Sequence, residues 1–290
     1  MNVLVVLSAV AIIGGLTFTL ASMLVVANRL LYVHEDPRID AVEAMLPHTN
    51  CGACGYPGCR AFAVGLVHDE VLPGKCSVGT AENHAAIARY LGVGVGAREK
   101  QVARLACAGG NNVARNRAHY QGMESCAAAA LVAGGGKACF WGCLGLADCA
   151  VACDFDAIEM NAHQIPVVNE DRCTACGDCV TACPKGLFSL HPVGHRLWVA
   201  CASRAEGDEV LEQCEVACTG CARCASDSGG RIAMENGLPV IDYDAGPPSD
   251  TPILRCPTGA ILWLDPHTGP RKGPAARKVI RQGVIHDATS

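Results

Sequence analysis

Large aromatic side chains are scarce in this chain: phenylalanine, tyrosine and tryptophan together make up 4% of its 290 residues, so ring packing does not fill the interior. Positive charge is not in excess either. Twenty-three basic residues against 28 acidic ones leave a formal charge of −5, which excludes the basic stripe of a nucleic-acid-binding surface. A nucleotide-binding glycine loop is missing, because Gly92-Val-Gly94-Val-Gly96 lacks the G-x-G-x-x-G spacing and the helix and strand around it. Residues 3–27 contain no charge at all, and no Lys or Arg stands before them. That run is long enough to cross a hydrocarbon core, and without a basic leader it does not read as a cleaved signal. Residues 1–28 are therefore expected to be a transmembrane anchor. Arg29, just beyond, directs the remainder to the cytoplasm by the positive-inside rule.

What the chain has instead is small residues and 20 cysteines, with glycine at 32. A chain of this size, half hydrophobic, buries a core without disulfide staples, and its cysteines are clustered rather than dispersed. Cys173-Thr-Ala-Cys176-Gly-Asp-Cys179-Val-Thr-Ala-Cys183-Pro184 is a full C-x2-C-x2-C-x3-C-P run. In that pattern three thiolates wrap one iron–sulfur cubane and the fourth reaches its neighbour. Zinc is the rival metal, but it calls for two separated C-x2-C pairs rather than four cysteines crowded before a proline. Free thiols and labile clusters also belong on the reducing side of a membrane, in agreement with Arg29.

An earlier group, Cys51, Cys54 and Cys59 with Cys76 further on, is set among glycines and Pro57 that let a loop close tightly round a metal. Residues 32–40 read as a polar linker, with a helix over 41–46 stopped by Pro47. His48, His68 and His84 lie nearby in sequence and are read as surface residues.

The later cysteines contain a repeat. Cys126, Cys139 and Cys143 recur at an offset of 75 as Cys201, Cys214 and Cys218, and Cys183-Pro184 recurs as Cys256-Pro257. Short strands are expected at 165–168 and 239–241, and short helices after the Cys-Pro corners. By ferredoxin spacing, Cys153 joins Cys173, Cys176 and Cys179 in one site. Cys218, Cys221, Cys224 and Cys256 form another. The second copy has lost a whole site at once, since 227–255 holds no cysteine, and packing is expected to fill the space. The first copy lacks its middle ligand, Leu146 standing where Cys221 recurs; Cys139 is the expected substitute, with Cys143, Cys149 and Cys183. Cys107, Cys126, Cys201 and Cys214 are then left as small buried thiols, with a fifth shared site or the displacement of an assigned ligand as open alternatives.

The uncharged helix, then Leu46-Pro-His-Thr-Asn-Cys51-Gly-Ala-Cys54-Gly-Tyr-Pro-Gly-Cys59 with Cys76, then ferredoxin-type runs, resembles the B-type subunit of the Rnf complex. The likeness runs to about residue 265. Segments like the one around Cys139, Gly142 and Cys143 occur in the longer members. It implies a single [4Fe-4S] cluster on Cys51, Cys54, Cys59 and Cys76; with the three sets read from spacing, about four clusters are expected in all. Together with the repeat, an α+β chain is expected, made of the anchor, a four-cysteine module (34–93), a two-cluster ferredoxin-like domain (100–195) and a degenerate one-cluster repeat (196–265). A flexible basic tail (266–290) would follow. The role implied is a membrane-anchored electron-transfer subunit of an ion-translocating oxidoreductase, with NAD and flavin on partner chains. It would exchange electrons with soluble ferredoxin and contact lipid and other subunits, but no nucleic acid. Asp154 stands where the family has proline, and an altered turn is expected there. A polyferredoxin of another membrane redox complex and a zinc-bearing assembly protein are the rivals.

Overall fold

The computed structural model of the protein describes residues 3–31, 35–96, 99–246 and 249–277. Helix α1 (Val3–Leu31) is 29 residues long, about 43 Å at 1.5 Å per residue. Its 22-residue stretch Val10–Leu31 has mean hydropathy 2.2 and none of it is buried inside the molecule. Thr17 and Thr19 donate back to the carbonyls of Ile13 and Gly15, so their hydroxyls need no outside partner.

Helix α2 (Pro37–Ala44) begins earlier than the sequence suggests, inside the stretch read as a linker. The reason is local: Pro37 presets the first helical φ, and the Asp36 carboxylate accepts the Arg38 N–H at 2.9 Å. It packs on α3 (Cys59–Val67), burying Ile39, Val42, Leu46, Phe62 and Leu66. A short 3-10 turn (Pro73–Lys75) leads to α4 (Ala81–Leu91). That helix is capped by the Thr80 hydroxyl and ended by Gly92 at φ 73°.

Beyond residue 100 one arrangement occurs twice. In the first half β1 (Gln101–Leu105) lies antiparallel to β4 (Phe188–Pro192), with Gln101 opposite Pro192 and Leu105 opposite Phe188. Between them come α5 (Cys126–Leu131), α6 (Asp148–Val151), the hairpin of β2 (Ile158–Met160) and β3 (Pro166–Val168), and α7 (Asp178–Ala182). In the second half β5 (Leu197–Val199) pairs with β8 (Ile261–Asp265). Between these come α8 (Val210–Gln213), α9 (Arg223–Asp227) and the hairpin of β6 (Ile232–Glu235) and β7 (Leu238–Ile241). The two strand segments expected from sequence are each one side of a hairpin. The helices run into the Cys-Pro corners rather than following them: α7 ends at Ala182, because Pro184 cannot donate to a helical ladder.

Two other expectations change. The chain does not end its fold at residue 265, since β9 (Gly269–Arg271) pairs with β8 and the Arg277 N–H reaches the Pro257 carbonyl at 3.0 Å. The rest of the expected tail, 278–290, lies outside the described residues. Asp154 leaves its turn unaltered. The Asp156 N–H returns to the Cys153 carbonyl at 3.2 Å, just as Gly186 returns to Cys183 at 3.0 Å, and both residues are left-handed.

Candidate metal centres

Four cysteines converge in the N-terminal module. Cys51, Cys54, Cys59 and Cys76 line one cavity with Leu46, Asn50 and Phe62. Cys59 starts α3, and its N–H donates to Asn50 Oδ1 at 2.8 Å, which ties the loop across the site. Burial pushes the Cys76 thiol up, opposed by N–H groups of Gly79 and Val78 and reinforced by the Cys54 and Cys51 thiols. His48 and His68 are exposed as expected. His84 is not: a methyl group on Gly79 would lie 2.5 Å from its Nε2, and burial lowers its pKa.

Three loops of the later halves share one backbone path. Counting back from Cys149, Cys179 and Cys224, the residue four earlier is left-handed (Gly145 76°, Ala175 57°, Gly220 67°). The residue two earlier is left-handed too (Ala147 68°, Gly177 95°, Ala222 55°). Such alternation turns successive N–H groups into one concavity, a nest for an anionic group. Alanine gains nothing by this conformation and is strained there by about 1–2 kcal/mol, so the surrounding structure must hold the loop in it. Each loop then opens a one-turn helix whose second residue is the cysteine: Cys149 on α6, Cys179 on α7, Cys224 on α9.

Cys153, Cys173, Cys176 and Cys179 line one cavity between β1 and the β2–β3 hairpin. The Ala157 N–H points at the Cys153 sulfur at 3.3 Å and the Ala103 N–H at Cys173 at 3.4 Å. The Cys179 thiol is pushed up to about 12 by burial, then by Cys173, Cys176 and Cys153. In the second half, Cys218 is pushed up to about 11 by burial, against the Gly220 N–H, with Cys224, Cys256 and Cys221 adding to the rise. Cys221 is exposed there, while Cys224 and Cys256 belong to the core with Leu197, Ile232 and Ile253. Buried thiols as reluctant to ionise as Cys179 and Cys218 become thiolates when a bound cationic core takes the place of the protons. Among the described residues no group of three or more Cys, His, Asp or Glu can hold a single metal ion.

The remaining expected set is rearranged. Leu146 does occupy the middle position of the 143–149 loop, but the cysteine that comes to it is Cys126, not Cys139. Burial pushes Cys126 up, the Leu146 N–H faces its sulfur and opposes the rise, and Cys183 is a neighbour. Cys149 is pushed up to about 12 by burial, then by Cys126 and Cys183. The Asp148 carboxylate fixes α5 in place, accepting the Cys126 N–H at 2.8 Å, the Ala127 N–H at 2.9 Å and the Ser125 hydroxyl at 2.9 Å. Burial works against this carboxylate, yet those donors hold it below the usual range.

Cys139 lies elsewhere, lining a cavity with Cys107, Cys201 and Cys214. The offset of 75 therefore holds for Cys139 and Cys214 and for Cys143 and Cys218 but fails for Cys126 and Cys201. Cys107 matches Cys201: the Ala106 N–H donates to Leu187 as the Ala200 N–H donates to Ala260, at 2.8 and 2.7 Å. A longer connection in the first half, the residues from 108 to 138, carries Cys126 as an addition that sequence counting mistook for a repeat partner.

The vacated position of the second half is also visible. Ser228 stands where Cys153 stands, and its hydroxyl accepts the Ile232 N–H at 3.0 Å as Cys153 sulfur accepts that of Ala157. Ile253, wholly buried on a 3-10 turn (Thr251–Ile253), fills part of the space. The rest is not packed as expected but forms a cavity walled by Ser228, Arg231, Asp242, Tyr243 and His195.

Two family descriptions match the chain: "Putative Fe-S cluster" over residues 46–78 and "4Fe-4S binding domain" over residues 165–188. Three relatives, each the B-type subunit of its complex, extend the likeness to most of the chain. The one from the Na(+)-translocating ferredoxin:NAD(+) oxidoreductase complex of Acetobacterium woodii is 37% identical, over 88% of this chain and 77% of its own. The one from the ion-translocating oxidoreductase complex of Methanosarcina acetivorans is 35% identical, over 89% of this chain and 98% of its own. The one from the proton-translocating ferredoxin:NAD(+) oxidoreductase complex of Clostridium ljungdahlii is 38% identical, over 90% and 93%.

Proposed function

The chain belongs to the B-type subunit family of ion-translocating oxidoreductase complexes, and we propose that it relays single electrons between soluble ferredoxin and the membrane subunits of such a complex. The observation that carries this reading is the loop path shared by residues 143–149, 173–179 and 218–224, with its left-handed alanines and inward N–H groups. Four [4Fe-4S] clusters, each supplying reversible one-electron transfer when bound, are assigned here. Their ligands are Cys51, Cys54, Cys59 and Cys76; Cys126, Cys143, Cys149 and Cys183; Cys153, Cys173, Cys176 and Cys179; and Cys218, Cys221, Cys224 and Cys256. Cys153 and Cys183 cross between two of these sites, and the two halves are read as tandem ferredoxin-like domains, the second degenerate.

The residues act by binding and tuning. Thiolates hold the iron, N–H groups such as those of Ala157 and Gly79 stabilise electron-rich sulfur, and small side chains admit close approach. The exposed Cys221 marks the second half as a point of access for a soluble donor. The apolar helix α1 is the membrane anchor, with the cysteine-bearing part on the cytoplasmic side.

Iron and acid-labile sulfide in the anaerobically purified protein test the reading. About sixteen irons are expected from these four sets, with EPR signals on reduction. Zinc without sulfide would favour an assembly protein. Removing residues 1–29 should leave a soluble protein with its iron unchanged, because no ligand precedes Cys51; retention in membranes would show a second insertion element.

A further inference from the structure

We propose that Cys107, Cys139, Cys201 and Cys214 bind a fifth [4Fe-4S] cluster at the junction of the two halves. The inference rests on the iron–sulfur reading above but concerns cysteines which that reading leaves out. Two of the ligands come from each half. Cys107 follows β1 and Cys201 follows β5, in matching tetrapeptides, Leu105-Ala-Cys107-Ala and Val199-Ala-Cys201-Ala. Cys139 and Cys214 each stand four residues before a ligand of another site, Cys143 and Cys218.

The sulfurs are already dressed as ligands, and symmetrically so. Cys107 Sγ accepts the N–H of Gly109 at 3.4 Å and that of Cys143 at 3.5 Å. Cys201 Sγ accepts the N–H of Ser203 at 3.5 Å and that of Cys218 at 3.3 Å. A buried thiol kept only as a compact hydrophobe has no need of two convergent N–H donors, whereas a thiolate on a cluster does. The four cysteines line one cavity, whose other walls are largely alanine and glycine. A methyl group on Gly109 would sit 3.2 Å from Cys214 Sγ and 3.6 Å from Cys107 Sγ, so thiols of the two halves face one another across a residue without a side chain. The Lys137 ammonium is buried beside them, held by the Gly109 carbonyl, and offsets the negative charge that four thiolates bring.

The backbone across the junction is fixed as a ligand set requires. The Ala108 N–H donates to the Ala200 carbonyl at 3.1 Å, Glu215 donates to Val113 at 2.9 Å, and Ala114 bridges Cys214. The placement also gives the second half a route. Cys107 accepts from the backbone of one neighbouring ligand, Cys143, and Cys201 from the other, Cys218. The junction cluster would then connect the two first-half sites with the single site of the second half.

The test is iron and sulfide analysis with EPR and Mössbauer spectra of the anaerobic full-length protein, wild type and Cys214→Ser. The wild type should carry about twenty irons, and all of its cysteines should be ligands. Cys214→Ser should lose about four irons and one set of signals, or convert that cluster to a three-iron form, while the rest persist. A wild-type value of about sixteen, unchanged in Cys214→Ser, would overturn the fifth site and leave the four-site reading standing. Protein free of iron would overturn both. Should Cys214→Ser fail to fold, the wild-type count decides, because about twenty irons in cubane clusters need every one of the 20 cysteines.

Discussion

The two halves after residue 100 share their strands, their hairpin and their cysteine loop, yet they treat one corresponding position in opposite ways. In the first half the position beside β2 is lined by Cys153, Cys173, Cys176 and Cys179. In the second it holds Ser228, Ile253 and a cavity walled by Arg231, Asp242, Tyr243 and Ile241. The backbone survives the change. Ser228 receives the same N–H, four residues on, that Cys153 receives, so the turn is a property of the chain and not of the metal. The position keeps its fold without the cysteines because a hydroxyl stands in for the sulfur and the buried Ile253 supplies volume.

Ligand removal should expose this difference most strongly. Cys176→Ala breaks a site whose neighbour shares the crossing cysteines, Cys153 and Cys183. More than four irons should be lost, and spin–spin coupling in the reduced EPR spectrum should change. Cys221→Ala breaks the one site of that type in its half, and about four irons should be lost. Equal losses in the two variants would break the comparison, since the halves would then be coupled alike.

A second experiment tests the loop rather than the ligand count. Cys126→Ser should remove about four irons, the site of Cys143, Cys149 and Cys183 being left with three thiolates. Adding Leu146→Cys should restore them. The 143–149 loop already has the left-handed pair of its relatives, Gly145 and Ala147, and position 146 is where Cys176 and Cys221 stand. Failure of the double variant to recover iron would mean that the first-half loop has diverged beyond its backbone.

Much of this was legible in the sequence, and the limits have physical causes. The apolar helix and the cavities lined by Cys51–Cys76 and by the Cys173 run follow from local sequence, as does the absence of cysteine from 227–255. Cys139 and Cys126 could not be separated by counting, because ligation depends on how the chain returns from a long excursion between residues 108 and 138. Asp148, holding the N-terminus of α5 through three donors, decides that return. The signal available was the short apolar-Ala-Cys-Ala motif at Cys107 and Cys201, which pairs these two where the offset of 75 pairs Cys126 with Cys201. The helix at Pro37 was likewise signalled by Asp36-Pro37, a cap and a preset φ.

The vacated position gives a smaller effect. Ser228→Ala leaves the buried Ile232 N–H without its acceptor and should destabilise the second half by about 1–2 kcal/mol, read as a lower urea midpoint with iron content unchanged. Loss of iron from the Cys218 site would show that the hydroxyl still serves a metal centre. Ser228→Cys alone should gain no cluster, since the other three ligands of that position are missing from 227–255.

The smallest effect concerns how the halves are joined. His191, at the end of the first half, lies edge-on to Trp198 at 4.8 Å, and its Nδ1 is 3.4 Å from Nδ1 of His195, which stacks on Tyr243 at 3.6 Å. A bond between two ring nitrogens needs one donor and one acceptor, so at most one of the rings can be charged. Burial, then His195 and Arg104, lowers the pKa of His191; burial lowers that of His195 against the pull of Glu99 and Asp244. As pH falls, the unfolded chain therefore takes up protons before the folded one, and the native state loses stability below the ordinary histidine range near 6.5. Above that range the contribution is fully present. The urea midpoint of the anaerobic protein should be lower at pH 5.5 than at pH 7.5. His191→Phe, which keeps a ring against Trp198 and removes the proton site, should narrow the difference. An unchanged difference would place the acid sensitivity in the metal centres and leave the joint between the halves indifferent to pH.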